Sequence, residues 1–337
     1  MIAMPAQADP TRAEHAAAAR LSLFRAVEVW TVQDDASLLR TSAIYRDAPT
    51  LAASLGTLPA GVGLPGQVVE GGIPVVLADI HAVDSADGFV RREAAHADGL
   101  TAGVGIPVYR DGAIASVVLF LFAEIGDAAG AIESWRPDPD RNELTLDASH
   151  YIGLDRFEMI SRYVQFPFGS GLPGEVKEQG TPKLLTGLAR NAAFIRAAGA
   201  EAEGISIALA WPIIAYGDDT RAVLLMLSSS KTPLARSFQI WEPETPAGDD
   251  AVARLVPRRI AAEDCRPFGE AVAAMSVTPG LGLLGRAWES GEAIATTDFA
   301  DEPDDIRLLA GKFGIEGAVA LPVFRGPTLK AVIALWG

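Results

Sequence analysis

The tetrapeptide Gly63-Leu64-Pro65-Gly66 occurs again at 171–174 and, with leucine in place of proline, at 282–285. A tryptophan upstream, an arginine downstream and a proline inside a later apolar run accompany each occurrence in the same order. These residues are Trp30, Trp135 and Trp241; Arg91, Arg196 and Arg307; and Pro107, Pro212 and Pro322. The interval of roughly 110 residues exceeds the period of solenoid repeats and is long enough for a complete domain. The sequence therefore predicts one domain in three copies, with boundaries at 1–125, 126–232 and 233–337.

Each copy shows the same order of predicted elements, β-β-α-β-α-β-β. In the first copy, alternating apolar and polar residues at 27–30 and 38–45 predict a strand hairpin. The tetrapeptide leads into a short helix that a glycine closes, and two apolar strands at 103–108 and 115–122 end the copy. The first copy alone has a predicted leading helix, at 11–25. The fold class expected is α+β, with three tandem domains that each contain a mainly antiparallel sheet and flanking helices.

Bulk properties exclude several functional classes. The 337 residues carry a formal net charge of −15, which argues against general nucleic-acid binding because that requires a basic surface. The longest apolar runs are too short to cross a bilayer, and the N-terminus does not resemble a signal peptide. A single cysteine, Cys265, leaves no intramolecular disulfide and fits a reducing compartment. We therefore expect a cytoplasmic protein without nucleic-acid or membrane partners.

The order of these landmarks resembles that of the GAF domain family. The first copy carries the resemblance best, through the segments 61–66, 79–80, 89–91 and 105–108, and the third copy is close. The second copy keeps the tetrapeptide and Phe194-Ile195-Arg196 but has Gly187 where the others have aspartate. The resemblance spans about residues 20–337. It implies an antiparallel sheet with helices, frequent pairing through helices, and a small ligand held between the sheet and its loops.

The recurrent arginines and the aspartates before them are the candidate site. In the family these regions border the ligand cavity, although a structural ion pair between Asp79 and Arg91, or between Asp298 and Arg307, explains the same pattern. Arg196 lacks such an aspartate. Because a buried arginine without a carboxylate is costly, it is expected to reach solvent or to bind an anion. The candidate ligand-binding residues are Arg91, Arg196, Arg307, Asp79, Asp298, Phe89 and Phe194.

No catalytic residue, metal ligand or cofactor is expected. The tetrapeptide lacks the tail of a phosphate-binding loop, so its glycines are interpreted as a tight turn before a helix. A reductase with this fold would need a second thiol to restore the first, and Cys265 has none. The four histidines show no ligand spacing.

The expected function is that of a non-enzymatic sensor or regulatory protein that binds a small molecule, a partner protein or both. Since no output domain is recognised, we expect the signal to pass to a separate protein or through self-association into a homo-oligomer. An alternative is a structural or adaptor protein whose domains have lost their cavities, which the short linkers favour. A weaker alternative is a reductase with the same fold.

Overall fold

Three antiparallel sheets with short flanking helices make up the described part of the chain. The computed structural model describes residues 24–82, 88–123, 128–217, 219–229, 232–245, 253–262 and 265–337. The α+β prediction with three repeated units is confirmed. Residues 11–23 of the predicted leading helix lie outside the described residues, and Phe24 and Arg25 belong to the first strand.

Unit one forms a six-stranded sheet in the order β3-β2-β1-β6-β5-β4. All its neighbouring strands are antiparallel, and the first hairpin predicted from the sequence is β1 paired with β2. Its elements are β1 (Phe24–Val32), β2 (Leu38–Tyr45), α1 (Pro49–Ala52), β3 (Thr57–Leu58), α2 (Gly63–Gly71), β4 (Val75–Leu77), α3 (Arg92–Ala97), β5 (Leu100–Arg110) and β6 (Ala113–Ala123).

Unit two repeats this topology in the sheet order β9-β8-β7-β12-β11-β10. A short 3₁₀ helix, Leu188–Arg190, follows the strand Lys183–Thr186. The elements are β7 (Gly130–Asp138), β8 (Glu143–Ile152), α4 (Asp155–Ser161), β9 (Gln165–Pro167), α5 (Gly171–Gln179), β10 (Lys183–Thr186), α6 (Ala197–Glu203), β11 (Ile205–Ile214) and β12 (Thr220–Ser229).

Unit three forms a five-stranded sheet in the order β14-β13-β17-β16-β15. A single bridge between Leu255 and Val277 stands where the other units have a short outer strand. The elements are β13 (Ser237–Glu244), β14 (Arg254–Ala261), α7 (Arg266–Ala273), α8 (Gly282–Ser290), β15 (Ile294–Thr296), α9 (Asp304–Lys312), β16 (Ala318–Arg325) and β17 (Thr328–Trp336).

The repeated tetrapeptide begins a helix in every unit, namely α2, α5 and α8. Its first glycine has a positive φ, 67° at Gly63, which an L side chain rarely adopts. A Cβ on its last glycine would meet backbone, lying 2.4 Å from the carbonyl carbon of Gly61 in the case of Gly66. The same two constraints hold at 171–174 and 282–285. The motif is therefore explained by backbone geometry.

The three sheets share one apolar core. In β6, Val118, Phe120 and Phe122 face this common core, whereas Val117, Leu119 and Leu121 pack with the helices of unit one. Both faces of the sheet are thus buried, which explains why the closing strands are continuously apolar. Segments from β5, β11 and β16 meet at the centre, where Pro107, Pro212 and Pro322 lie together.

The units pack head to tail in a closed ring. Strand β4 of unit one contacts β8 of unit two, β10 of unit two contacts β13 and β14 of unit three, and β15 of unit three contacts β1 and β2 of unit one. The contacts therefore repeat cyclically, as expected for an approximate threefold arrangement of related units.

Side-chain hydrogen bonds close the contact between units three and one. The amides of Ala293 and Ala295 donate to Ser116 Oγ at 3.1 Å and to Ser42 Oγ at 3.0 Å. Thr31 Oγ1 donates to a carboxylate oxygen of Glu292 at 2.9 Å. The first two bonds satisfy backbone amides at and beside β15, which is an edge strand of the sheet of unit three.

Among the described residues, no helix is both long enough and apolar enough to cross a membrane.

Candidate functional site

A buried charged network occupies the space between sheet and helices in unit one. The carboxylate of Glu28, on β1, is fully buried. Arg91 donates to its two oxygens from Nη1 and Nη2, at 2.6 and 2.5 Å. Tyr45 Oη and Trp30 Nε1 donate to the same carboxylate at 2.6 and 2.9 Å. This bidentate, charge-assisted arrangement is among the strongest that a protein interior offers.

Unit two repeats these four side chains in corresponding positions, whereas in unit one Arg40 also contacts Glu28, at 3.4 Å. Arg196 Nη1 and Nη2 donate to the carboxylate of Glu133 at 2.6 and 2.9 Å. Tyr151 Oη and Trp135 Nε1 add hydrogen bonds of 2.7 and 2.8 Å. The hydroxyl of Ser161 accepts a further hydrogen bond from Arg196 at 2.6 Å.

These contacts set the ionisation of the buried groups. Burial acts to raise the pKa of Glu28, but the hydrogen bond and charge of Arg91, with the hydrogen bonds of Tyr45 and Trp30, bring this pKa below its usual value. Burial, followed by the negative charge of the neighbouring glutamate, raises the pKa of Tyr45 and that of Tyr151. Near neutral pH the Glu28 carboxylate is therefore ionised, and both tyrosines keep the proton that they donate.

Aromatic rings surround both guanidinium groups. Arg91 Cζ lies 5.0 Å from the ring centroid of Trp30 and 5.1 Å from that of Phe89. Arg196 Cζ lies 4.6 to 5.5 Å from the centroids of Trp135, Phe157, Phe166 and Phe194. The predicted site residues Phe89 and Phe194 therefore contact the arginines themselves, at distances suited to cation–π attraction.

Two expectations about the arginines are wrong. Asp79 does not pair with Arg91, because its carboxylate instead accepts the amide of His81 at 2.8 Å. Arg196 does not lack a carboxylate, because Glu133 supplies one from 63 residues upstream. The signal was present in the sequence, since Glu28 and Glu133 each stand two residues before the recurrent tryptophan.

Unit three does not contain the glutamate or the tyrosine of this network. Gln239 stands where the other units have glutamate, two residues before Trp241, and its Oε1 accepts from Trp241 Nε1 at 2.8 Å. The amide nitrogen of Gln239 donates to Ser237 Oγ at 3.0 Å. The tyrosine of the network is also replaced in unit three. Tyr45 follows Ala43, the strand partner of Glu28, by two residues. The residue two after Ile260, the strand partner of Gln239, is Ala262. A neutral side chain in place of the glutamate removes the need for a buried arginine.

Arg307 is not the structural counterpart of Arg91 and Arg196. Those two arginines immediately precede α3 and α6, whereas Arg307 lies inside α9, which Pro303 precedes. Its side chain is half-exposed and binds the carboxylate of Asp304, and Nη1 donates to the carbonyl of Ala300 at 3.2 Å. Asp298, its expected partner, instead accepts the amide of Ala300 at 2.9 Å.

Other chemically distinctive residues are few in the described ranges. Cys265 is buried, and its Sγ donates to the carbonyl of Arg236 at 3.4 Å. No three side chains of histidine, cysteine, aspartate or glutamate within those ranges are grouped so that they could hold a metal ion.

Comparison with solved structures shows distant similarity to GAF-like domains over about a third of the chain. The GAF domain of nlh2 from A. aeolicus is 20% identical, with a TM-score of 0.24, over 29% of this chain and 57% of that one. A free methionine-R-sulfoxide reductase from Neisseria meningitidis is 18% identical, with a TM-score of 0.24, over 31% and 57%. The NreA protein of Staphylococcus aureus, mutated in its nitrate-binding site, is 14% identical, with a TM-score of 0.26, over 34% and 86%.

The chain thus spans little more than half the length of the first two of these structures. No protein-family model and no curated protein matches it.

Proposed function

We propose that this chain is a non-enzymatic regulatory protein in which three GAF-like units, packed around a shared core, bind a partner protein and act in trans. The observation that carries this proposal is the pair of buried networks at Glu28–Arg91 and Glu133–Arg196. They occupy the space where domains of the resembled family often hold a ligand.

A ligand entering that space in units one or two would have to displace a buried ion pair. The side chains of Glu28 and Arg91 are 0% and 3% exposed, and those of Glu133 and Arg196 are 0% and 1% exposed. Separating such a pair leaves an uncompensated buried charge and costs about 3–5 kcal/mol. The arginines and phenylalanines predicted as ligand-binding residues are therefore assigned a core-stabilising role in these two units.

The position of Cys265 supports a function without thiol chemistry. A reductase needs a thiolate that the substrate can reach, in a site that favours the ionised form. Cys265, immediately before α7, is fully buried, and its thiol donates to a backbone carbonyl.

Unit two offers a surface for a partner. Met159, Ile160 and Tyr163, in and just after α4, are 65%, 45% and 88% exposed, and Ile195, just before α6, is 55% exposed. Helices α4 and α6 pack against each other, and Ile160 lies 3.5 Å from the position that a Cβ on Gly199 of α6 would take. We call these four residues the unit-two patch. Exposed large apolar side chains that form a contiguous surface are typical of protein-binding sites.

The test is to purify the tagged protein from its own host and to measure the mass of the assembly by native mass spectrometry. Tyr163→Asp and Ile195→Asp are expected to lose a stoichiometric protein partner. Leu308→Asp is the matched control, because Leu308 is 74% exposed on α9 of unit three. A partner kept by all three variants would contradict the assignment to the unit-two patch. A mass corresponding to two copies would contradict binding of a separate partner protein and would indicate self-association instead.

A second candidate function is small-molecule sensing, which is favoured by a cleft of about 400 Å³ between units two and three.

A further inference from the structure

The contact between units two and three contains a cleft. Strand β10 and the end of α5 face β13 and β14 across a cleft of about 400 Å³. At the contact between units three and one, Thr31 and Glu292 are joined by a hydrogen bond. The corresponding residues at the contact between units two and three, Glu242 and Thr181, both line the cleft. The volume of this cleft is within the range of small-molecule sites.

Basic side chains from both units line this cleft. Lys183 of unit two forms an ion pair with Glu175. Arg258 of unit three contacts Glu242 at the long distance of 3.5 Å. Arg259 donates from Nη1 to a backbone carbonyl at 3.3 Å, and no carboxylate of the described residues lies within ion-pair distance of it.

Arg259 lies beside the apolar floor of the cleft. Its strand partner is Ile240, a buried residue that also lines the cleft. The side chains of Leu184 and Pro182 complete an apolar wall on the side of unit two. An apolar floor with a guanidinium at its rim is a frequent composition of small-molecule sites. The planar guanidinium binds carboxylate and phosphate groups through two parallel hydrogen bonds.

We propose that the cleft between units two and three binds a small molecule carrying a carboxylate or phosphate group, with Arg259 as the anion-binding residue. Lys183 and Arg258 lie on either side of the anion and remain paired with Glu175 and Glu242. The ligand contacts both units, so it stabilises their present packing to the extent that it binds this packing more tightly than one in which the units are separated. This site is independent of the unit-two patch and of the buried networks, and it extends the proposed function.

The experiment measures binding of three probes, inorganic phosphate, succinate and glycerol 3-phosphate, by isothermal titration calorimetry at constant ionic strength. Arg259→Ala is expected to weaken the preferred probe about tenfold or more, because charge-assisted hydrogen bonds are lost. Arg254→Ala is the matched control, since Arg254 lies on the same strand, pairs with Glu244 and is not a lining residue of the cleft. Its affinity is expected to match that of the parent.

A second variant, Thr181→Trp, fills the cleft without changing its charge and is expected to abolish binding. Preference for succinate over both phosphates identifies a carboxylate ligand, and the reverse order identifies a phosphate ligand. The proposal is overturned if no probe binds the parent protein, if Arg254→Ala weakens binding as much as Arg259→Ala, or if Thr181→Trp binds normally. None of these results depends on whether a protein partner is found at the unit-two patch.

Discussion

Glu133 and Arg196 stand 63 residues apart in the chain and form a buried, bidentate ion pair at the centre of unit two. Glu28 and Arg91 repeat this pair in unit one at the same separation. Each pair links the first strand of its sheet to the residue before a helix, and so holds the helical layer against the sheet.

Arg196→Leu should destabilise the protein severely. It leaves the Glu133 carboxylate buried without its cation, which costs about 3–5 kcal/mol. Urea unfolding followed by circular dichroism measures this loss. Arg307→Leu is the control, because the half-exposed pair with Asp304 contributes less than about 1 kcal/mol. Equal losses in the two variants would contradict the structural role of the buried pair.

Gly285→Ala and Gly311→Ala should have opposite effects within unit three. A Cβ at Gly285 would lie 2.2 Å from the carbonyl oxygen of Thr278, whereas a Cβ at Gly311 meets nothing within 4 Å. The first change forces the backbone to move and is expected to lower the melting temperature strongly. The second places alanine in helix α9 and is expected to stabilise by about 0.5–1 kcal/mol. Thermal unfolding of both variants checks this, and similar melting temperatures would contradict it.

Stability should fall in mild acid because of His150. This residue packs 5.0 Å from the ring of Phe122, across the boundary of units one and two. Burial lowers the pKa of His150 from 6.5 to about 4, against a small opposing effect of Glu158. Below pH 6.5 the unfolded chain takes up a proton that the folded protein does not bind until about pH 4.

The expected loss from this single group is on the order of 3 kcal/mol between those two pH values. Unfolding free energies of the parent and of His150→Gln, measured from pH 7 to pH 4, test it. The advantage of the parent over the variant should shrink as the pH falls. A difference that stays constant with pH would show that His150 does not resist protonation.

Ser116→Ala should loosen the contact that closes the ring. Ser116 is fully buried and accepts the amide of Ala293 from unit three, so its removal leaves that amide unpaired at a cost of about 1–3 kcal/mol. Hydrogen exchange at Ala293 and along β15 should accelerate. Ser134→Ala is a matched control, because Ser134 Oγ is buried without a hydrogen-bond partner in the described residues. Unchanged exchange in Ser116→Ala would contradict the contact.

Local sequence patterns predicted the units well, because their causes are local. The glycines of the tetrapeptide follow from a positive φ and a close backbone approach within a few residues. The hairpin of β1 and β2 follows from short-range alternation and a polar turn. Neither feature depends on the rest of the chain.

The candidate site was predicted in part. The sequence singles out Arg91 and Arg196, but it suggests the nearby Asp79 as the partner of Arg91 and no acidic partner for Arg196, whereas the structure pairs them with Glu28 and Glu133. Arg307 was assigned to the same set because it recurs at a similar interval, yet it lies one turn inside α9. An interval along the chain does not distinguish a residue before a helix from one within it.

The sequence by itself determined that one domain is present three times and that each copy forms an antiparallel sheet with short helices. Only the tertiary structure decided which acid meets each arginine, since Glu133 and Arg196 become neighbours only when the residue before helix α6 is brought next to strand β7. It also decided that the three sheets share one core and that a cleft lies between units two and three. The physical reason is that packing between units depends on surfaces assembled from distant segments, for which local periodicity carries no information.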